Sequence, residues 1–313
     1  MQFLPLNPIV ESHQQINGME LPTAAPILYL ISFILLAVPL LIFYIDHRSR
    51  QRQKAAGVEI SIPPPTKIIE IRVYPIKSCR GFKVKRAKLL KTGLDLDRQW
   101  MFVDAGSMDF LTIRQISKMT LIDTVLREND ELEVSIRNSQ PKVQFAIPAH
   151  PSKQWLDENT ELSEVEIWKK KVDGYIYPKE LTAPFSKFFE KEVRLAYKGP
   201  TPRILGGNGA PEVLGRTEST KFADLAPLQI ANQKSIEELN SRLSQIGHEP
   251  ISIERFRPNI VIEGETPWYE DTWKTIKIGE QGKSTTLDVV ARCARCQVPN
   301  VDPDTAVKDK KQP

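Results

Sequence analysis

Cys293 and Cys296 lie in Arg292-Cys293-Ala294-Arg295-Cys296, and a turn-rich acidic segment, Val298 to Thr305, follows at once. A thiolate is the form of cysteine that binds metal, and neighbouring cations favour it by lowering the thiol pKa. The same guanidinium groups suit an anionic ligand. Structural zinc would need about four ligands, commonly a second such pair or two spaced histidines. Cys79, His13, His47, His150 and His248 show no paired spacing. A redox pair of the thioredoxin kind opens a helix, and Pro299-Asn300-Val301-Asp302-Pro303 disfavours one. Two buried, inert cysteines remain open, as does a single thiolate on a soft or borderline transition metal.

Other segments offer polar groups that suit an anion. In Tyr74-Pro75-Ile76-Lys77-Ser78-Cys79-Arg80-Gly81, Lys77 and Ser78 beside loop amides make a phosphate grip, or else an ordinary surface turn. Arg98 starts a strand after Asp95 and Asp97, either facing an anion or paired with one of those carboxylates. In Arg255-Phe256-Arg257-Pro258-Asn259-Ile260, Arg257 can fork onto a phosphate and Asn259 can read a ring edge; the plain alternative is a capped strand start. Asp224 opens the turn Asp224-Leu225-Ala226-Pro227. It can aim a carboxylate at a site, although aspartate is common in turns.

These segments need a scaffold. The 313 residues, 41% hydrophobic and 26% charged, suit one large globular domain or two ordinary ones. A net charge of +4, part of it in the cluster Arg48, Arg50, Arg52 and Lys54, argues against nucleic acid as a partner. Three cysteines are no disulfide framework, and a reducing, cytosol-facing setting keeps them as thiols. Residues 1–24 are polar, unpatterned and expected to be mobile. Pro26 to Ile45 carries no charge and precedes the basic cluster. A membrane anchor over 25–46 is therefore expected, in preference to a cleaved signal, with the basic flank and the bulk of the chain on the cytosolic side. A basic, Pro-rich linker (47–66) follows.

From Lys67 onward short strands dominate. Ile69 to Val73, Trp100 to Val103, Val143 to Ile147, Val165 to Trp168 and Val193 to Tyr197 read as strands, and Asp123 to Arg127 with Leu132 to Ile136 as a hairpin. Ala183 to Glu190 reads as a helix, with Pro184 near its start. Ser235 with Glu238 forms a capping box for another helix. Ile260 to Ile262, Trp273 to Ile278 and Leu287 to Val290 are further strands. The expectation is a mostly β chain with a few helices, small barrels or sandwiches in two modules, 67–198 and 199–313. The polar end Lys308 to Pro313 follows the cysteine loop directly and leaves few residues to close a second barrel, so the chain is expected to be C-terminally short.

Tyr-Pro-Ile-Lys-Ser-Cys, Asp-Arg-Gln-Trp, Arg-Phe-Arg-Pro-Asn-Ile-Val and Arg-Cys followed by Val-Asp-Pro-Asp-Thr occur here in the order found in MOSC-domain proteins. From Lys67 onward the chain resembles that family, most nearly its membrane-anchored amidoxime-reducing members. The resemblance implies a MOSC N-terminal β-barrel domain followed by a MOSC domain, binding molybdenum cofactor, a pterin with a terminal phosphate. It implies Cys296 as the metal ligand, with Cys293 a neighbour, and Asp224 as a carboxylate near the metal. Lys77, Ser78, Arg98, Arg257, Asn259 and Arg295 would grip the pterin and phosphate. The implied activity is reduction of N-hydroxylated substrates such as amidoximes and hydroxylamines. Electrons would come from cytochrome b5 and NADH-cytochrome b5 reductase, at a cytosol-facing membrane, the mitochondrial outer membrane foremost. A non-catalytic cofactor carrier or sulfur-delivery module is the alternative. Two positions depart from the family pattern: Ala226 replaces a serine and Ala306 a glycine. If position 306 needs a positive φ, alanine is costly there.

Overall fold

The structure, a computed structural model, describes residues 24–55, 64–280, 283–293 and 296–309. The expected mobile segment 1–24 lies, except for its last residue, outside them, as does part of the 47–66 linker. The chain divides into two compact units after Pro64.

In the first unit, Ala24–Ala55 is one helix with Pro39 inside it. Leu30, Phe33, Leu35, Leu36, Leu40 and Phe43 along it are all exposed. The anchor expected over 25–46 is corrected here: among the described residues no helix is long and apolar enough to cross a membrane.

The second unit is mostly β with a few helices, as the alternating patterns imply. Its strands form open sheets, and no closed barrel is found among the described residues. The expected barrels fail because pairing crosses the modules. Ile68–Val73 lies antiparallel between Phe82–Val84 and Ile260–Ile262, and the last of these also pairs, in parallel, with Ile230–Asn232. A parallel pair needs a crossover, here the helix Gln233–Gln245, whose Ile236 and Leu243 are buried. Its N-cap is Asn232, which accepts from the Lys234 amide. Ser235 is therefore already inside the helix, where its hydroxyl donates to Glu270 at 2.5 Å. The expected capping box at Ser235 does not form.

A second sheet runs Trp100–Asp104, Val193–Lys198, Lys170–Ile176, Glu161–Ile167, all antiparallel. A third joins Ile122–Leu126, Glu131–Ile136 and Gln144–Pro148. The helix Lys179–Phe189 covers the core with Thr182, Phe185, Ser186 and Phe189, the spacing of one apolar stripe. Phe185 stacks on Phe102 at 5.8 Å and meets Phe145 edge-on at 5.1 Å. This helix starts before Ala183, with Pro184 in its interior, because burial of that stripe outweighs the one backbone bond that proline removes.

Candidate functional site

The Ile68–Val73 strand runs into Tyr74-Pro75-Ile76-Lys77-Ser78-Cys79, of which Tyr74, Ile76, Lys77, Ser78 and Cys79 are buried. A buried loop must find partners for its backbone. Lys77 N donates to Trp100 O at 2.8 Å, Trp100 N to Pro75 O at 3.0 Å, and Arg98 N to Tyr74 O at 2.8 Å. Two loops thus zip together, with Ser78, Leu96 and Arg98 all at positive φ. Asp97, itself buried, is their hub. Its Oδ1 accepts from Tyr74 N at 2.9 Å, Arg98 Nη1 at 2.8 Å and Asn259 Nδ2 at 2.9 Å.

Arg98 and Arg257 both lie over the Tyr74 ring, at 4.5 and 4.4 Å. The ring in turn packs so closely on Gly81 that a Cβ there would come within 2.5 Å of it. Arg98 Nη2 donates to the Arg257 carbonyl at 3.0 Å. Burial, and then the neighbouring Arg98, lower the Arg257 pKa. Its Nη2 is buried with no hydrogen-bond partner among the described residues. Asn259 is a clasp: its Nδ2 also donates to Arg72 O at 3.2 Å, while its Oδ1 accepts from Gln229 N at 3.2 Å.

The second wall comes from Phe222 to Asp224. Phe222 N donates to Arg98 O at 3.0 Å. Lys77 Nζ donates to Phe222 O at 2.9 Å and forms an ion pair with Asp224. Burial pushes Lys77 down to about 8, with Asp224 opposing the shift. Asp224 is 44% exposed and also accepts from Arg114 Nη2 at 3.0 Å and Trp168 Nε1 at 3.4 Å. Burial acts to raise its carboxyl, but Lys77 and Arg114 outweigh it and hold Asp224 well below the ordinary carboxylate range. Arg203 backs this wall through Lys221 O at 2.8 Å and through Ala223 O. Burial lowers its guanidinium to about 10.

Arg114 closes the site. It donates to Asp224 and interacts electrostatically with Cys296, and so links the two residues expected nearest a metal. Cys296 is half-buried against Ile113, Val298 and Val301. Cys293 is exposed and interacts electrostatically with Cys296, Asp224 and Arg114. The structure therefore brings Cys296, Asp224 and Lys77 into one chain of contacts, reaching Arg98 through Phe222 and Arg257 through Arg98. Ser78 lies buried beside Lys77, and Asn259 bonds to the Asp97 hub. Arg295 lies outside the described residues. Ala306 has φ +59, so this alanine does occupy the left-handed region that favours glycine. Sequence reasoning missed Arg114, Trp168 and Arg203.

These residues fit an anionic group. Arg98 is matched by Asp97, and Lys77 with Arg114 by Asp224, whereas Arg257 Nη2 has no acceptor among the described residues. A buried donor without an acceptor costs free energy, and a phosphate oxygen supplies the missing partner. A half-buried thiol beside a guanidinium is the donor type that a soft metal takes.

A family model described as MOSC N-terminal beta barrel domain matches residues 66–192, and one described as MOSC domain matches residues 217–313. The chain is 32% identical over 257 residues to the mitochondrial amidoxime reducing component 2 of Homo sapiens, covering 79% of this chain and 70% of the relative. It is 28% identical over 252 residues to the mitochondrial amidoxime-reducing component 1 of Mus musculus, covering 79% and 68%. It is also 30% identical over 253 residues to the molybdenum cofactor sulfurase of Arabidopsis thaliana, covering 77% of this chain but only 29% of that relative.

Proposed function

The chain belongs to the MOSC-domain family, and from that premise we propose that it binds molybdenum cofactor and reduces N-hydroxylated compounds such as amidoximes and hydroxylamines. The observation that carries the reading is Arg114, bonded to Asp224 and interacting electrostatically with Cys296, next to a basic cluster that ends in the unsatisfied Arg257 Nη2. Cys296 would bind the metal; Lys77, Ser78, Arg98 and Arg257 would hold the pterin and its phosphate. When bound, the cofactor supplies two-electron chemistry that takes oxygen from nitrogen.

The chain's own groups do the rest. Asp224, held ionised by Lys77 and Arg114, accepts hydrogen bonds from a substrate N–H or O–H and is a poor proton donor near neutrality. Lys77, at about 8, keeps its proton at Nζ at pH 7 and fixes the carboxylate. The electron supply we propose is cytochrome b5 with its NADH-dependent reductase. The exposed apolar side chains of Ala24–Ala55 support a place at a membrane, the mitochondrial outer membrane foremost, with the second unit in the cytosol. Removing residues 1–47 then yields protein that no longer sediments with membranes; continued sedimentation counts against this placement.

The similarity to a molybdenum cofactor sulfurase favours a second reading, a non-catalytic cofactor carrier or sulfur-delivery module. Metal analysis and turnover separate the cases. Protein made in cells that synthesise the cofactor should hold molybdenum, lose it in Cys296→Ala and keep it in Cys293→Ala. Reduction of benzamidoxime with cytochrome b5 and its reductase identifies the enzyme; molybdenum retained without turnover identifies the carrier. A well-folded wild-type preparation without molybdenum overturns both.

A further inference from the structure

Trp168 stands at the tip of the hairpin formed by Glu161–Ile167 and Lys170–Ile176, where Ile167 faces Lys170 across the last pair. The two linking residues, Trp168 and Lys169, have φ +52 and +61. A two-residue turn with both φ values positive favours Asn-Gly or Asp-Gly, and a bulky side chain there is strained. Strain of this kind persists where the surroundings enforce it, and it gathers at functional sites.

The surroundings enforce it from several sides. Phe110 N donates to Glu166 O at 3.0 Å, and Glu166 N to Met108 O at 3.1 Å, which fixes the Phe110 loop along the hairpin. The Phe110 ring lies 4.8 Å from that of Trp168. Arg114 lies over the Trp168 ring at 5.4 Å, and the indole Nε1 donates to Asp224 at 3.4 Å. Even so, Trp168 stays 43% exposed. An apolar ring held in a strained turn, bonded to the carboxylate that neighbours Cys296 through Arg114, and still open to solvent, is placed to meet whatever approaches that sulfur.

We propose that Trp168 is a specificity-determining residue. Its indole is the platform on which a flat, conjugated substrate stacks, so that planar N-hydroxylated amidines are selected over saturated ones. The inference rests on the reductive activity proposed above, but its test separates the two. Steady-state reduction of benzamidoxime and of cyclohexanecarboxamidoxime is compared in the full chain with equal molybdenum content. Binding of the corresponding unreactive amidines, benzamidine and cyclohexanecarboxamidine, is measured by calorimetry.

Trp168→Ala should raise KM for benzamidoxime and weaken benzamidine binding by about five- to tenfold. The value of kcat and both cyclohexane compounds should change by no more than about twofold. Trp168→Phe keeps an aromatic face without the bond to Asp224 and should recover most of the loss. An equal loss for flat and saturated compounds, a fall in kcat at constant KM, or loss of molybdenum from both variants overturns the platform. If wild type reduces neither amidoxime but binds benzamidine in a Trp168-dependent way, the platform stands and the activity reading falls.

Discussion

Replacing Asp224 by asparagine isolates one electrostatic coupling, and its cost should depend on pH. Lys77 is almost wholly buried, with its side chain 4% exposed, and Asp224 is its ion-pair partner. With Asp224 present, burial lowers Lys77 only as far as about 8. Without the carboxylate, little opposes burial, and Lys77 becomes neutral at pH 7. One unit separates pH 7 from a pKa of about 8, so the native protein forfeits ~1.4 kcal/mol of proton-linked stability at pH 7. The unfolded chains share the same lysine, so that reference cancels. The Arg114–Asp224 pair, 29% and 44% exposed, adds about 0.5 kcal/mol after solvent screening, nearly independent of pH in this range.

At about pH 9.5 Lys77 is neutral in both native proteins, and the first contribution vanishes. The sign for Lys77 itself is opposite to that of a stabilised lysine. Its native pKa lies below the ordinary 10.5, so overall stability rises between about pH 8 and 10.5. Asp224, lowered from 3.8, contributes stability above that value that fades as the pH falls through its native pKa. Urea denaturation of both proteins, prepared without cofactor, should show a gap of about 2 kcal/mol at pH 7 that shrinks to about 0.5 kcal/mol at pH 9.5. An unchanged gap at the two pH values would refute the coupling.

Arg257→Ala should lower molybdenum content measured by elemental analysis while the fold persists by circular dichroism, because the Nη2 donor without an acceptor is then absent; unchanged occupancy removes Arg257 from the cofactor grip. His150 bridges Asp130 at 2.7 Å and Asp95 at 3.1 Å. Burial acts to lower its pKa, but those two carboxylates outweigh it and raise it above 6.5. Its contribution is therefore full below pH 6.5 and lost as the pH rises through the native value. His150→Gln should shift the urea midpoint at about pH 5.5 and hardly at about pH 8.5, and an equal shift at both would show that the imidazolium form is not what matters.

What the sequence made legible were the parts governed by local rules. Alternation found Ile68–Val73, and a short apolar run found Trp100–Asp104, whose first four residues are all buried. Residue chemistry singled out Lys77, Arg98, Asp224, Arg257 and Cys296 as candidates. Closure of the sheets was not legible, since pairing Ile71 with Ile260 is a long-range choice that no local pattern records. Arg114 and Trp168 were missed for a related reason. Each looks ordinary beside its sequence neighbours, and the contacts that give it a role reach Asp224 across 110 and 56 positions. Only one local sign existed: a tryptophan followed by lysine where the Glu161–Ile167 and Lys170–Ile176 strands reverse within two residues, a turn that asks for Asn-Gly. A sequence that places a bulky ring where a small residue would relax the backbone is trading local comfort for a contact elsewhere. Here that contact lies with Asp224 and Arg114, and through Arg114 with the sulfur of Cys296.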